Sequence, residues 1–237
     1  PILVSAELYH FLGLRGAFIA YSWPATPSIW AYSSDLETTR YTANDFRAFL
    51  QYLAENTDAE RIHIIGYSAG TRVVIDAIWQ LALLSQGESK EAMNDKYRIG
   101  QVLLMASDYD RDSFVNTVND RILDIPDHMT IYLSETDKAL GMSSWLLNRR
   151  RLGEIDPKEG GLTTDQVNIL APNQELSLVN VSQAERANAG KGHNYFRQSP
   201  WVSSDVLMTL RFSLPPEERG LTQAEGMGVW SFPQDYI

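Results

Sequence analysis

Short apolar runs alternate along this chain with longer stretches in which apolar residues recur at helical spacing. This alternation is typical of a mostly parallel sheet whose strands are connected by helices. Buried strands are predicted at 17–21, 61–65, 101–106 and 129–133, and candidate edge strands at 167–170 and 176–181. Helices are predicted at 2–14, 35–55, 71–84, 112–119, 138–150 and 201–212. The pattern therefore predicts an α/β fold with helices on both faces of the sheet.

Three details of the connections follow from the same pattern. Asp35 is placed to cap the second helix. Residues 86–96 are interpreted as a polar connection. Residues 215–237 show no clear periodicity, but Trp230 and Phe232 predict that this tail packs back on the rest of the chain. We expect one domain over residues 1–237.

Composition and charge narrow the classes of partner. The 237 residues are 44% hydrophobic and 21% charged, as is usual for a globular domain. The net charge of −10 repels phosphate backbones, so no nucleic-acid partner is expected. The absence of cysteine excludes disulfides and thiolate chemistry but leaves the compartment open. No apolar run is long enough for a membrane span, and residues 1–4 show no signal peptide. The oligomeric state is not predicted.

The strongest chemical signal is the G-x-S-x-G pattern of residues 66–70, centred on Ser68. The strand predicted at 61–65 runs into this pattern, and the helix predicted at 71–84 follows directly. In α/β hydrolases this strand–turn–helix context presents a nucleophilic serine on a tight turn. The alternative is a plain glycine turn with an incidental serine.

The residues around the serine fit this interpretation. A tight turn requires small neighbours, which Gly66 and Gly70 provide. The N-terminus of the following helix directs backbone N–H groups and a positive dipole end toward a reacting carbonyl oxygen. The amide of Ala69 is therefore the expected first oxyanion donor.

An activated serine needs a general base, and in this fold the order along the chain is serine, acid, histidine. His10 and His63 precede Ser68 and are interpreted as structural. His128 begins a strand, which is the end away from a site built at strand carboxyl ends. His193 lies in a glycine-flanked loop before the last helix and is the predicted base. The alternative is a solvated loop histidine.

The acid should follow the carboxyl end of a strand between the nucleophile and the base. Asp137 has this position after the strand predicted at 129–133, so it is the predicted acid. Asp108 and Asp110 follow the previous strand and could instead cap a helix or shape the pocket. Glu135 is expected to be solvated.

Five stretches together resemble a known family: FIAYSWP at 18–24, IGYSAGTRV at 65–73, IYLS at 131–134, DKAL at 137–140 and GHNYF at 192–196. They are similar to a bacterial α/β-hydrolase family of unknown function that is related to esterases and lipases. The resemblance covers residues 17 to about 210. It implies Ser68, Asp137 and His193 as a catalytic triad.

The chain departs from such hydrolases at its start. They usually have strands and a His-Gly loop before the first helix, and that loop supplies a second oxyanion donor. The sequence contains no His-Gly pair and begins at the first helix, so we expect the N-terminal strands to be missing. Either the chain is a piece of a longer hydrolase or its oxyanion hole is incomplete. One lost donor costs ~10²–10³ in rate.

The residues favour hydrolysis of a small-molecule ester through an acyl-enzyme, with no metal or cofactor required. Acyl transfer to an acceptor other than water uses the same residues. The rival hypothesis is a binding or scaffold domain without turnover. The aromatic loop at 23–32, with Met142 and Trp145, could form an acyl pocket or be ordinary packing.

Overall fold

The structure is a computed structural model that describes residues 2–24, 32–147, 149–155, 169–170, 172–188, 192–223 and 228–236. The helices are α1 (Ile2–Phe11), α2 (Tyr32–Asn56), α3 (Gly70–Leu84), α4 (Lys90–Tyr97), α5 (Arg111–Asn119), α6 (Lys138–Leu147), α7 (Tyr195–Gln198) and α8 (Pro200–Phe212). The strands are β1 (Ile62–Tyr67), β2 (Ile99–Met105), β3 (His128–Leu133), β4 (Leu176–Asn180), β5 (Thr222–Gln223) and β6 (Trp230–Ser231). Short 3₁₀ helices lie at Ile122–Asp124 and Pro216–Arg219.

These strands form one six-stranded sheet in the order β1-β2-β3-β4-β6-β5. The neighbouring strands β1, β2, β3, β4 and β6 all run parallel to one another. The last strand in the order, β5, runs antiparallel to its neighbour β6. Because parallel strands need a crossover between them, the chain places helices between β1, β2 and β3. The predicted mostly parallel sheet is confirmed.

Side chains of β2 show that both faces of the sheet are covered. Val102 and Leu104 belong to one buried cluster, and the alternating Leu103 and Met105 belong to the other. The first cluster contains residues of α2, α3, α4 and α5. The second contains residues of α8 and of the tail, with Leu8 of α1 packed against it. A strand buried on both faces has a continuous apolar sequence, which is why β2 is recognisable.

The strand predicted at 17–21 is wrong. Residues 17–24 have no regular secondary structure, and Ile19 is 53% exposed. The Tyr21 ring instead contacts the rings of Phe46 and Phe49 on α2, with centroids 4.7 and 5.8 Å apart. In the described part of the chain, no backbone hydrogen bond joins residues 17–24 to β1. Aromatic and β-branched residues favour a strand only where a partner strand is available.

Two predictions about helices also need correction. The stretch 86–96, interpreted as a polar connection and not assigned a helix, contains most of α4. The Ser89 hydroxyl caps this helix by accepting from the Ala92 N–H at 3.2 Å, and Met93 and Tyr97 bury one face. The second correction concerns α2, which begins at Tyr32, so Asp35 lies within its first turn rather than at its cap.

The predictions for the second half of the sheet are partly wrong. β4 is not an edge strand, because it lies between β3 and β6. Of the other predicted edge strand, 167–170, the first two residues lie outside the described residues, and Ile169 and Leu170 are helical. The tail contributes β5 and β6, and Phe232 is buried in the second cluster. The assignment of residues 1–237 to one domain stays a prediction.

Among the described helices, none combines the length and the apolar character that crossing a membrane requires.

Candidate active site

Ser68 lies in the tight turn between β1 and α3 with a φ of +51°. This left-handed backbone is uncommon for a residue with a side chain and has to be enforced by its surroundings. The Ser68 N–H donates to the carbonyl of Met105 at 3.0 Å. On the other side, the Ser68 carbonyl accepts from the Thr71 N–H at 3.0 Å and from its hydroxyl at 2.6 Å. The end of β2 and the first turn of α3 therefore fix the serine backbone together.

The two glycines of the turn differ in their surroundings. A Cβ at Gly66 would lie 3.2 Å from the Cα of Thr71 and 3.3 Å from the Leu104 side chain. The predicted need for a small residue is therefore explained there. A Cβ at Gly70 would have no atom within 4 Å, so the structure gives no steric reason for a glycine at that position.

The side chains of Ser68, His193 and Asp137 lie together at the carboxyl ends of the strands. The Asp137 Oδ2 is 2.7 Å from the Nδ1 of His193, and the His193 Nε2 is 3.1 Å from the Oγ of Ser68. The Asp137 Oδ1 accepts from the N–H groups of Ala139 and Leu140 at 3.0 and 3.1 Å. The first turn of α6 thus orients the carboxylate, and the carboxylate orients the imidazole.

The members of this group differ in how much of each side chain is exposed to solvent. The side chain of Asp137 is 1% exposed, whereas that of His193 is 20% exposed. A carboxylate at Nδ1 favours the tautomer in which that nitrogen carries the proton, and it leaves Nε2 as an acceptor for the serine hydroxyl. The arrangement can therefore move a proton between an accessible hydroxyl and a shielded imidazole–carboxylate pair.

The loop that carries His193 is fixed on both sides of the histidine. Gly192 has a φ of +74°, and a Cβ there would lie 2.5 Å from the carbonyl oxygen of Thr136, so only glycine fits. Two residues after the histidine, the fully buried Tyr195 hydroxyl accepts from the Ala106 N–H at 2.5 Å. Burial raises the pKa of Tyr195 far above its usual value, so this hydroxyl stays protonated.

Ala69 occupies the position before the first residue of α3, with helical φ and ψ of −57° and −24°. Its N–H has no acceptor among the described residues, as is usual for the first amides of a helix. The role of this amide as an oxyanion donor stays a prediction.

The rival carboxylates have other partners. Asp108 accepts from the Arg72 guanidinium at 3.1 Å and from the Ser143 hydroxyl at 2.6 Å. Asp110 caps α5 by accepting from the N–H and the hydroxyl of Ser113 at 2.8 and 2.7 Å. Glu135 is exposed. The contact to His193 comes from Asp137, the carboxylate that strand-end position favoured.

The other histidines have structural surroundings. The Nδ1 of His63 accepts from the Gln101 N–H at 2.9 Å, and burial lowers the pKa of His63. The His128 Nε2 is 2.8 Å from the Ser177 hydroxyl, and burial lowers the pKa of His128 to about 4. His10 is exposed on α1.

A segment that the sequence did not reveal borders the site. Residues 150–155 lie across the carboxyl ends of β2 and β3. There the Gly153 N–H donates to the Ser107 carbonyl, and the Gly153 carbonyl accepts from the Ser134 N–H, at 2.9 Å each. A Cβ at Gly153 would lie 2.5 Å from the Ser107 nitrogen. The glycine is the one available signal, since the segment has no periodicity.

Part of the predicted acyl pocket cannot be placed. Residues 25–31 lie outside the described residues, and Met142 is 51% exposed on α6. A groove of about 590 Å³ is lined by residues of α1 and α7 together with Asn194, which follows the histidine. Among the described residues, no three His, Asp or Glu side chains are grouped so that they could bind a metal ion.

Comparison with known proteins gives one match. A family model described as an alpha/beta hydrolase of unknown function (DUF900) matches residues 1–211. This range contains β1 to β4 and the three side chains that meet at the strand ends. A search of curated proteins and a search of solved structures found no match.

Proposed function

The chain belongs to this family of α/β hydrolases, and from that premise we propose that it is a serine hydrolase that cleaves carboxylic esters through an acyl-enzyme. Ser68 is the nucleophile, His193 the general base and Asp137 the acid of the triad. The observation that carries the proposal is the position of the His193 ring, whose two nitrogens lie 2.7 Å from a buried carboxylate oxygen and 3.1 Å from the serine hydroxyl.

In the first half-reaction, the Ser68 Oγ attacks the ester carbonyl carbon while the His193 Nε2 takes its proton. The charge on the imidazolium is balanced by Asp137, which stays ionised. The carbonyl oxygen becomes an oxyanion within reach of the Ala69 N–H. As the tetrahedral intermediate collapses, the bond to the alcohol oxygen breaks, and His193 returns the proton to that oxygen.

The second half-reaction repeats the sequence with water. His193 removes a proton from water as the water oxygen attacks the acyl carbon. Collapse of the second intermediate breaks the bond to Ser68, which regains its proton from the imidazolium. Because the Ser68 backbone is fixed from both sides, the hydroxyl returns to the same position for the next cycle.

A fluorophosphonate probe tests the nucleophile directly, because it labels an activated serine. The parent should be labelled at Ser68, as located by peptide mass spectrometry, and should hydrolyse a short p-nitrophenyl ester. Ser68→Ala should lose the label and about 10⁶ in kcat. Ser204→Ala on α8 is the matched control and should behave as the parent does.

Two outcomes would contradict the proposal. One is a Ser68→Ala variant that keeps most of the parent's turnover. The other is a folded parent that neither labels nor turns over any ester, which would instead favour a binding domain. Thermal unfolding of all three proteins shows that a lost activity is not a lost fold.

A further inference from the structure

Tyr67 directly precedes the nucleophile, yet its side chain contacts the loop of the base. Its hydroxyl donates to the Oδ1 of Asn194 at 2.7 Å, across 127 positions of the sequence. The same hydroxyl lies 3.5 Å from the His193 carbonyl oxygen. The Tyr67 ring also contacts the imidazole, with centroids 5.2 Å apart and planes inclined by 45°.

These contacts restrict a motion that the triad itself leaves open. Asp137 fixes the imidazole at Nδ1 and Ser68 contacts it at Nε2, so both partners lie near one line through the ring. Rotation of the ring about that line is opposed by neither. A second ring packed against the imidazole opposes this rotation, and the hydrogen bond to Asn194 fixes the backbone from which the imidazole extends.

The surroundings of Tyr67 keep its hydroxyl a donor. The residue is half-buried, and its ring also contacts Phe196 at a centroid distance of 4.9 Å. Burial, and next the charge of Asp137, raise the pKa of Tyr67 well above its usual value, although Arg197 acts in the opposite direction. The hydrogen bond to Asn194 therefore persists at every pH at which a histidine base works.

We propose that Tyr67 is a positioning residue that keeps the His193 imidazole oriented toward Ser68 through its contacts with Asn194 and with the ring itself. The inference rests on the proposed function. Loss of the hydroxyl should slow each step in which the imidazole moves a proton. It should leave ester binding unchanged, since Tyr67 acts on the base and not on the substrate.

The test compares Tyr67→Phe with Tyr52→Phe, which removes the hydroxyl of an exposed tyrosine on α2. Tyr67→Phe should lower kcat about three- to tenfold, the factor to which one net hydrogen bond corresponds. Its KM should stay within about twofold of the parent, and its rate of fluorophosphonate labelling should fall by the same factor as kcat. Tyr52→Phe should match the parent, and the thermal midpoint of Tyr67→Phe should fall by no more than the about 2–4 °C that the loss of one hydrogen bond causes.

Asn194→Ala gives a second route to the same contact, and it also serves if Tyr67→Phe does not fold. It should reproduce the loss in kcat, and the Tyr67→Phe/Asn194→Ala double variant should lose no more than either single variant. Losses that multiply would overturn the inference, because the two residues would then act separately.

The failures of the two proposals can be told apart. A parent that is not labelled at Ser68 overturns the proposed function and this inference with it. A labelled, active parent whose kcat and labelling rate are unchanged in Tyr67→Phe overturns this inference alone.

Discussion

Two buried carboxylates lie next to strand β3, and they differ in the side chain with which each is paired. Asp137 follows the carboxyl end of β3, and its partner His193 leads outward to the serine. Asp205 of α8 accepts from the hydroxyl of Tyr132, a residue of β3, at 2.7 Å and from the guanidinium of Arg219 at 2.8 Å. The side chains of Asp205 and Arg219 are 0% and 1% exposed.

The difference shows that the partner decides what a buried carboxylate can do. An imidazole changes its protonation near neutral pH, whereas a guanidinium does not. At Asp205 the penalty of burial outweighs the attraction of Arg219 and raises the pKa to about 6. The Asp205–Arg219 pair therefore connects the tail to α8 as a structural link, while the Asp137–His193 pair can serve in proton transfer.

Removal of His193, the partner of Asp137, should give the largest loss of activity. Because the members of a triad act as a unit, His193→Ala should lower kcat almost as far as Ser68→Ala, by roughly 10⁶. His128→Ala, which changes a half-buried structural histidine, is the control and should keep most of the activity if it folds. An inactive His128→Ala beside an active His193→Ala would mean that the base is wrongly assigned.

Asp137→Asn should have the next largest effect. Without its carboxylate the imidazole can adopt the wrong tautomer, and its positive charge is uncompensated, so kcat should fall by about 10⁴ with the fold intact. Asp108→Asn and Asp110→Asn should each cost far less in kcat/KM on the same ester. A small loss of kcat/KM in Asp137→Asn together with a large loss in Asp108→Asn would show that the acid of the triad follows the earlier strand.

Removal of one member of the Asp205–Arg219 pair should lower the stability of the protein and leave its activity unchanged. Arg219→Met leaves Asp205 buried without its cation and should lower the free energy of unfolding by about 3–5 kcal/mol. Urea denaturation measures the loss, and turnover per folded molecule should stay at the parent's value. The double variant Asp205→Leu/Arg219→Met should recover much of the stability, because no buried charge remains. A loss below about 1 kcal/mol would show that the pair is not a structural link.

The change in the free energy of unfolding with pH should be the smallest of these effects. Asp205 has a pKa of about 6 when folded and about 3.9 when unfolded, so between these values the folded state binds more protons. Ionisation therefore opposes folding, and the contribution of Asp205 should fall by on the order of 2–3 kcal/mol from about pH 4 to 6 and then level off. The free energy of unfolding of the parent minus that of Asp205→Asn isolates this contribution. A difference that rises with pH would contradict the assignment.

The central strands could be predicted from sequence because strands that are buried on both faces consist mainly of apolar residues. Every residue of β2 is buried, and an apolar run of that length favours a strand covered on both faces. The failures were elements that depend on distant partners. Residues 17–21 have strand-like composition without a partner strand, and α4 shows only Met93 and Tyr97, four apart, as a sign of its buried face. β6, two residues long, could not be recognised, and so β4 was predicted to be an edge.

The three side chains that meet at the strand ends were predictable because chain order and strand-end position restrict the choices. Ser68, Asp137 and His193 each had few rivals of the right type in the right place. The Tyr67–Asn194 contact was not predictable, since it depends on how the end of β1 and a loop 127 residues later come together. The segment 150–155 was missed because backbone hydrogen bonds, which carry no side-chain pattern, fix its position.

The positive φ of Ser68 has a consequence for how this protein can change over time. A left-handed conformation costs a serine about 1–2 kcal/mol, whereas a glycine adopts it freely. Ser68→Gly should therefore make a more stable and inactive protein. Where activity is not under selection, that replacement would be tolerated, because selection removes only changes that bring the protein below its stability threshold. Under the proposed function, Ser68 is thus a residue at which the most stable sequence and the active sequence differ.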